Sequence, residues 1–362
     1  MAKELTLYPE YIDRYFPQTV ISIVELLNEK RNQNEVFLYK SLLNPTYTED
    51  TKWSSITGKY AHVAADVVAM DSELPLKSRG SMETAHGDIP KIGMKLYLTE
   101  TEMKEIDAMR ARQVNVETIA RKIFADTATC IAGVQSRLED IFLSELSTGV
   151  GLTTRNNGTG VRIDVGFLDA NKFGVASLWD SNPNPGNALD DLQKVFDKAA
   201  ADENQITDVY LDDVAIKALA KNPQFKEQYA FDQNFVGSNI PNLNNEKVAS
   251  VFRSYFGVEM HRVFKPIKTE LDGKKDNHNP WKQGVLAFTC DKKLGDLVWT
   301  NVAENNHRVP SVAYEIADNY ILVSKYSTND PLCEFTSSQA MAVPVLNNVD
   351  RIYLLDSKEV VA

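Results

Sequence analysis

The stretch NVETIARKIFADTATCIAGVQSRLEDIFLSELSTG, Asn115 to Gly149, constrains this chain more than any other. Asn115 can cap a helix, because its side-chain oxygen accepts from first-turn N–H groups that have no partner in the helix. Apolar or small residues then return every three or four positions, at Val116, Ala120, Ile123, Thr127, Ile131, Val134, Leu138 and Ile141. Ile119, Phe124, Ala128 and Phe142 widen the stripe, and Gly149 supplies a stop. The spacing predicts one uninterrupted helix over 115–148, roughly 50 Å long at ~1.5 Å per residue; most globular helices run only ~8–20 residues. Arg121, Lys122, Asp126, Arg137, Glu139, Asp140 and Glu145 interrupt it, so it is too polar to span a bilayer. It has too few heptads for a coiled coil. A rod of this length needs a broad, sheet-like surface to lie on.

At ~100–200 residues per domain, the chain is one large or two medium domains. Asp and Glu number 50 against 39 Lys and Arg, a net charge of −11. That balance argues against strong non-specific binding to phosphates, which depends on neutralising cations. Cys130, Cys290 and Cys333 are odd in number, far apart and in apolar surroundings, which reads as buried free thiols in a reducing compartment rather than a disulfide framework. The start, MAKELTLYPEY, lacks the apolar core of a signal peptide. No apolar run reaches membrane length. The expectation is a soluble chain made in the cytosol, with no membrane partner.

Residues 1–50 read as an arm: an aromatic stretch from Tyr8 to Phe16 broken by Pro9 and Pro17, then a short amphipathic helix over Thr19–Glu29. Residues 51–98 read as a two-stranded ribbon, with strands at Ala61–Met70 and Lys91–Leu98. A lone ribbon is marginal in water, so this one should lie against another surface, such as a second subunit. Thr99-Glu-Thr-Glu102 is a capping-box pattern opening a helix through Arg112. After the long helix, GLTTRNNGTGVRIDVGF reads as a hairpin turning at Asn156-Asn157-Gly158. A helix over Leu189–Asp202, a strand at Asp208–Leu211 and a helix through Lys221 follow. TELDGKKDNHNPW reads as a polar loop. Strands resume at Gly284–Cys290 and Asp296–Asn301, and the tail is strand-rich: Pro310–Ile316, Asn319–Lys325, Cys333–Val345 and Arg351–Leu355. The class is α+β, with a mixed segment between early and late strands.

The chemistry-bearing residues read as structural. Gly149-Val-Gly151 ends a helix and enters a hairpin, whereas a nucleotide loop leaves a strand and opens a helix. His62, His86, His261, His278 and His307 are scattered, with no metal-ligand spacing and no Cys-x-x-Cys; His278 reads as a solvated loop residue. Asp190-Asp191 and Asp212-Asp213 precede helical patterns, where carboxylates cap N–H groups. No Gly-x-Ser-x-Gly elbow exists. The sequence therefore predicts no catalytic, cofactor or metal site. Lys77-Ser-Arg79-Gly80, at the ribbon tip, reads either as a solvated tip or as a salt-bridge donor to a neighbouring subunit.

The order of elements resembles that of a tailed-phage major capsid protein of the Hong Kong 97 fold, most similar to the lambda-type branch. YPEYIDRYFPQTV resembles that branch's aromatic arm, and LPLKSRGSMETAHGDIPKIGMKLYLTETEMKEID its extended loop. LEDIFLSELSTGVGLTTRNNGTGVRIDVGF resembles the end of its spine helix and the hairpin after it. WDSNPNPGNALDDLQKVFDKA and ITDVYLDDVAIKALAKNPQFKE resemble the start of the axial domain, and PLCEFTSSQAMAVPVLNNVDRIYLLD the closing strands of the peripheral domain. The resemblance covers nearly the whole chain and rests on the order of loose patterns.

It implies an N-terminal arm over 1–50 and an extended loop over 51–98. The peripheral domain takes 99–179 and 330–362, with the spine helix at 115–148, and the axial domain takes 180–329. It implies a non-enzymatic protein that assembles with itself into hexamers and pentamers of an icosahedral head around double-stranded DNA, in the virion, after synthesis and assembly in the host bacterial cytoplasm. Implied partners are a portal, a decoration protein and a scaffolding protein; the early ribbon implies either a scaffold that is a separate chain or a form already trimmed, and Met1 favours the former. Some members form Lys–Asn crosslinks between subunits, for which Lys77 would be the donor and Asn347 or Asn348 the acceptor, though no motif here demands one. Deleting Ala61 to Leu98 is expected to leave a folded subunit that cannot assemble. Other readings are a nanocompartment shell enclosing a cargo enzyme, a cytosolic α/β enzyme with a deep polar pocket, and a tail or portal ring component.

Overall fold

The computed structural model describes residues 6–28, 37–58, 82–152, 162–181, 185–234, 242–271, 273–310 and 312–361. In chain order the elements are α1 (Pro9–Asn28), α2 (Leu38–Leu42), β1 (Leu43–Tyr47), β2 (Lys52–Gly58), β3 (Met82–Asp88), β4 (Lys91–Leu98), α3 (Glu100–Ala111), α4 (Val116–Ile123) and α5 (Ala125–Thr148). Then come β5 (Val150–Leu152), β6 (Arg162–Asp164), β7 (Lys172–Val175), α6 (Ala188–Ala201), β8 (Asp208–Leu211), α7 (Asp213–Lys221), α8 (Pro223–Asp232) and α9 (Asn245–Val251), which passes into a π-helical turn, Phe252–Phe256. The rest is β9 (Glu259–Arg262), β10 (Ile267–Leu271), β11 (Lys274–His278), β12 (Val285–Thr289), β13 (Gly295–Thr300), α10 (Ala303–Asn306), β14 (Ala313–Ala317), β15 (Ile321–Asn329), β16 (Leu332–Leu346) and β17 (Ile352–Val360).

Two compact units share these elements. The first takes Met1–Trp53, Gly87–Phe142 and Asp296–Pro344; the second takes Ser54–His86, Leu143–Gly295 and Val345–Ala362. The first is organised by a six-stranded sheet in the order β1-β13-β16-β15-β14, with β4 also paired to β16. The second is organised by a five-stranded sheet in the order β7-β17-β12-β8-β9. Its β17–β7 and β8–β9 pairs are parallel. Trp179, Leu192, Val195, Ile216, Leu219 and Phe288 fill the core of that unit.

In the first unit the long helix finds the surface it needs. α5 lies on the six-stranded sheet: Ser338 Oγ of β16 donates to the Cys130 carbonyl at 2.6 Å. Gly133 sits so close to β4 that an added Cβ would meet Met94 Sδ at 2.1 Å. Ile131, Val134, Leu138 and Ile141 are buried, as their spacing predicts. Gly149, at φ +78°, ends the helix, a conformation that costs glycine little.

Several expectations are corrected. The helix over 115–148 is broken at Phe124 (φ −101°, ψ 9°), leaving α4 of 8 and α5 of 24 residues. The cause is a side chain from the sheet. Lys325 Nζ of β15 donates to the Ile123 carbonyl at 2.9 Å, and Thr127 N–H turns instead to the Phe124 carbonyl at 3.1 Å. A group inserted into the hydrogen-bond ladder is a recognised origin of kinks. The arm carries one 20-residue helix, α1, rather than a proline-broken stretch. Pro9 occupies its first position, where an N–H has no helical acceptor anyway, and burial of Tyr11, Ile12, Phe16 and Val20 outweighs the bond lost at Pro17.

The ribbon is β2 paired with β3; the expected strand Ala61–Met70 lies outside the described residues. Lys91–Leu98 is a strand, but it runs against β16 from Lys91↔Met341 to Leu98↔Glu334. A deletion reaching Leu98 would therefore open the sheet, so the deletion consistent with a folded subunit is confined to 59–81. The polar run after Phe264 is a hairpin, β10–β11, whose turn uses Gly273 at φ +74°. β17, expected beside the peripheral strands, pairs with β12 and β7. β13, β14 and β15, expected within the inserted segment, belong to the six-stranded sheet.

Candidate functional site: a buried polar seam under the spine

The face of β15 and β16 toward the helices carries buried polar side chains where alternation would favour apolar ones: Lys325, Glu334, Thr336 and Ser338. The helices answer with Thr127, Gln135, Glu139 and Asp140, also buried. Buried polar groups persist where they are hydrogen-bonded, and several of these bonds hold the N-terminal segment. Glu334 accepts from Thr6 Oγ1 at 2.9 Å and from Leu7 N–H at 3.0 Å, just ahead of α1. Glu139 accepts from Leu38 N–H at 2.9 Å and Tyr39 N–H at 3.0 Å, supplying two acceptors at the start of α2. The Tyr39 and Tyr320 hydroxyls share a hydrogen bond of 2.8 Å. Lys40 pairs with Asp318 at 2.5 Å, and Gln135 donates to the same carboxylate.

Lys325 is the centre of the seam. It is fully buried, and it donates to the Ile123 carbonyl and to Thr336 Oγ1 at 2.8 Å. Its ammonium lies 5.5 Å from the Phe124 ring centroid, and that ring stacks on Phe16 of α1. Burial pulls the Lys325 pKa down to about 8, against the opposing pull of Glu334, Asp126 and Cys130. Burial pushes the Glu334 carboxyl up, while the Leu7 N–H, Lys325 and the Thr6 hydroxyl hold it down. The seam fixes an arm, a helix break and a sheet to one another.

The residues singled out as candidate chemistry fall elsewhere. Asp212 caps α7, accepting from Ala215 N–H at 3.0 Å and from Gly284 N–H at 3.2 Å. Asp212→Ala strands both donors in a buried site and is expected to cost about 2–3 kcal/mol in urea unfolding; a loss below about 0.5 kcal/mol would deny the cap its role. Asp213 forms a two-pronged pair with Arg262. Asp191 accepts from the Trp179 indole at 3.0 Å and pairs with Lys194 at 2.9 Å, rather than capping. His261 shares 2.7 Å with Asp208 and stacks on Tyr210. His278 closes β11 and is half-buried. Cys130, Cys290 and Cys333 are free and buried. Asn347 and Asn348 follow β16, while His62, Lys77, Arg79 and the turn at Asn156 to Gly158 lie outside the described residues.

Lys325 and Glu334 were not legible as a pair. Each sits in a strand pattern that reads as polar-out, and only the register, Lys325↔Thr336 and Ser327↔Glu334, puts both on one face. Asp272-Gly273 did offer a hairpin signal, because Asp-Gly suits a two-residue turn.

Among the described residues no helix is long and apolar enough to cross a membrane. The sequence matches none of the curated proteins. The fold is similar to the crystal structure of a candidate capsid protein of an Escherichia coli CFT073 prophage, with TM-score 0.57 and 11% identity over 94% of this chain and 98% of that one. It is also similar to a phage-related protein of Bordetella bronchiseptica RB50, with TM-score 0.51 and 11% identity over 95% and 98%. Residues 25–270, more than half of the chain, match the model of the family phage major capsid protein E. The chain belongs to that family: it is a structural protein of the Hong Kong 97 fold, a major capsid protein that associates with its own copies to form a phage head.

Proposed function

We propose that the subunit assembles as hexamers and pentamers of an icosahedral wall around double-stranded DNA, with the β2–β3 ribbon lying on a neighbouring subunit. The ribbon carries this reading. Its two strands pair with no third strand among the described residues, and a lone two-stranded sheet is marginal in water. A neighbour supplies the missing surface. The net charge of −11 supports a wall that holds its contents without gripping them. The unit with the six-stranded sheet and α5 takes the peripheral role, and the unit with the five-stranded sheet takes the axial role, gathering about the symmetry axes. A separate scaffolding protein, a portal and a decoration protein complete the reading, with assembly in the host bacterial cytoplasm.

Electron microscopy and light scattering of the recombinant protein test it. Closed shells, tubes or free six- and five-membered rings are the expected products. Replacing 59–81 with a short Gly-Ser linker should leave the circular dichroism unchanged and abolish these products. Shells that form without 59–81 would remove the segment joining β2 to β3 from the assembly mechanism.

A further inference from the structure

The six-stranded sheet has a second face, turned away from α5. Register sets Tyr97, Phe335 and Tyr326 side by side across β4, β16 and β15. Two residues along, Lys95, Ser337, Ser324 and Tyr314 form the next row, from β4 to β14. Gly93, Ser324 and Ser337 are small, so the middle of this face is low and forms a trough of about 550 Å³. The Lys91–Glu304 pair, at 2.9 Å, stands at the end away from Tyr97.

The charge of the trough runs against that of the chain. Among the described residues lining it Glu304 is the one carboxylate, and Lys91 neutralises it. Lys95 is exposed, with its ammonium 5.2 Å from the Phe335 ring centroid and no carboxylate partner among the described residues. Arg308, also exposed, lies 5.7 Å from the Tyr314 ring centroid and donates to Asn305 Oδ1 rather than to an acid. A chain of net charge −11 thus carries a local face that complements an anion.

Strand spacing says which anion. Lys95 and Tyr314 stand three strand intervals apart, about 14 Å at ~4.8 Å each, with no cation between them in that row. A nucleic-acid strand carries a phosphate on every nucleotide, and holding it takes a run of cations along its backbone. A polysaccharide in which uronic acids alternate with neutral sugars carries a carboxylate on every second ring, so two well-separated cations suit it. The floor offers groups for sugar hydroxyls. Ser324 and Ser337 share one hydrogen bond of 2.6 Å, which leaves the pair a second O–H and free acceptor lone pairs. Gln339, bonded to Glu304, keeps further amide capacity. Tyr314 and Tyr326 supply aromatic surface for the apolar faces of the rings.

We propose that this trough binds an acidic polysaccharide of alternating uronic acid and neutral sugar. One carboxylate meets Lys95 and the next meets Arg308, with the intervening sugar on the tyrosine rings and its hydroxyls on Ser324, Ser337 and Gln339. The binding belongs to the single subunit and does not rest on how copies assemble. On the outside of a head, such a trough would hold the particle to an acidic polysaccharide coat.

Isothermal titration calorimetry of the full-length protein tests it, with a short hyaluronan oligosaccharide, in which glucuronate alternates with N-acetylglucosamine, as the probe. An N-acetylglucosamine oligomer of the same length is the neutral control, and an oligothymidylate the nucleic-acid control. Hyaluronan is expected to bind, and both controls to bind at least about tenfold more weakly. Lys95→Gln combined with Arg308→Gln should weaken hyaluronan binding by about tenfold or more. Ser337→Tyr, which fills the trough and leaves both cations in place, should do the same. Lys268→Gln, at an exposed position of β10, should change nothing. No binding of hyaluronan, equal binding of the neutral oligomer, tighter binding of oligothymidylate, or unchanged binding in the double variant overturns the proposal. Self-association that is lost in the double variant, with no hyaluronan bound by the unaltered protein, would assign the trough to a second copy instead. If circular dichroism shows that Ser337→Tyr does not fold, the double variant decides alone.

Discussion

Replacing Glu145 with methionine makes the subunit more stable, by about 2–3 kcal/mol at neutral pH. Glu145 lies in the last turn of α5, fully buried, and neither carboxyl oxygen has a hydrogen-bond partner. The backbone of β5 closes over it, so that a Cβ on Gly151 would meet Oε1 at 2.6 Å. Burial alone pushes its pKa well above the ordinary carboxyl range. The folded state therefore keeps a proton that the unfolded chain releases near pH 4.3. A raised carboxyl pKa gives stability that is fully present below the unfolded value and is lost as pH rises toward the folded one. The gap between Glu145→Met and the unaltered protein should thus be small near pH 4 and widen steadily to pH 8. Urea unfolding across that range checks it. A gap independent of pH, or a destabilised variant, would mean that the carboxyl has a partner in the folded subunit.

Phe252→Ala should have an effect of similar size and opposite sign. Phe252 opens the π-helical turn after α9 and is fully buried. Its ring centroid lies 5.6 Å from that of Phe225 and 6.0 Å from that of Phe256. Truncating a buried phenylalanine costs about 3–5 kcal/mol, because the transfer energy is lost and the cavity only partly collapses. The turn restricts collapse here: the Phe252 carbonyl accepts from Val258 N–H at 3.3 Å, across Gly257 at φ +71°. Phe231→Ala is the control. Phe231 is 80% exposed, so its removal should change stability by less than about 0.5 kcal/mol. Guanidinium denaturation of the two variants distinguishes them, and comparable losses would place Phe252 outside the core.

Residues with a strong local signal behaved as their sequence context predicts. The capping box at Thr99 and Glu102 opens α3, Asp208–Leu211 is a strand, and the apolar stripe from Ile131 to Ile141 is buried. What escaped the sequence depends on contacts between distant segments. No local pattern tells Phe124 that a lysine about 200 positions later will claim the carbonyl before it. Pro17 reads as a breaker until the partners of Phe16 and Val20 are known. The site itself was the least legible part, because Lys325 and Glu334 look like ordinary surface charges in strands until the sheet register and the arm enclose them.

The order in which the strands emerge during synthesis matters for how this protein is made. In the six-stranded sheet β16 lies between β15 on one side and β13 and β4 on the other. Roughly 230 residues separate the end of β4 from the start of β16. At ~5–20 residues per second, a ribosome takes on the order of 10–50 s to cover that interval. For that time β4 waits without its partner, and the lysine that breaks the spine has yet to be made for most of it. A protein needed in many copies per particle thus passes through a long-lived nascent state with an open sheet edge, the form most liable to pair with the wrong chain. Translation speed over residues 99–332 becomes a determinant of yield: faster passage shortens the exposure, while a pause before β16 prolongs it.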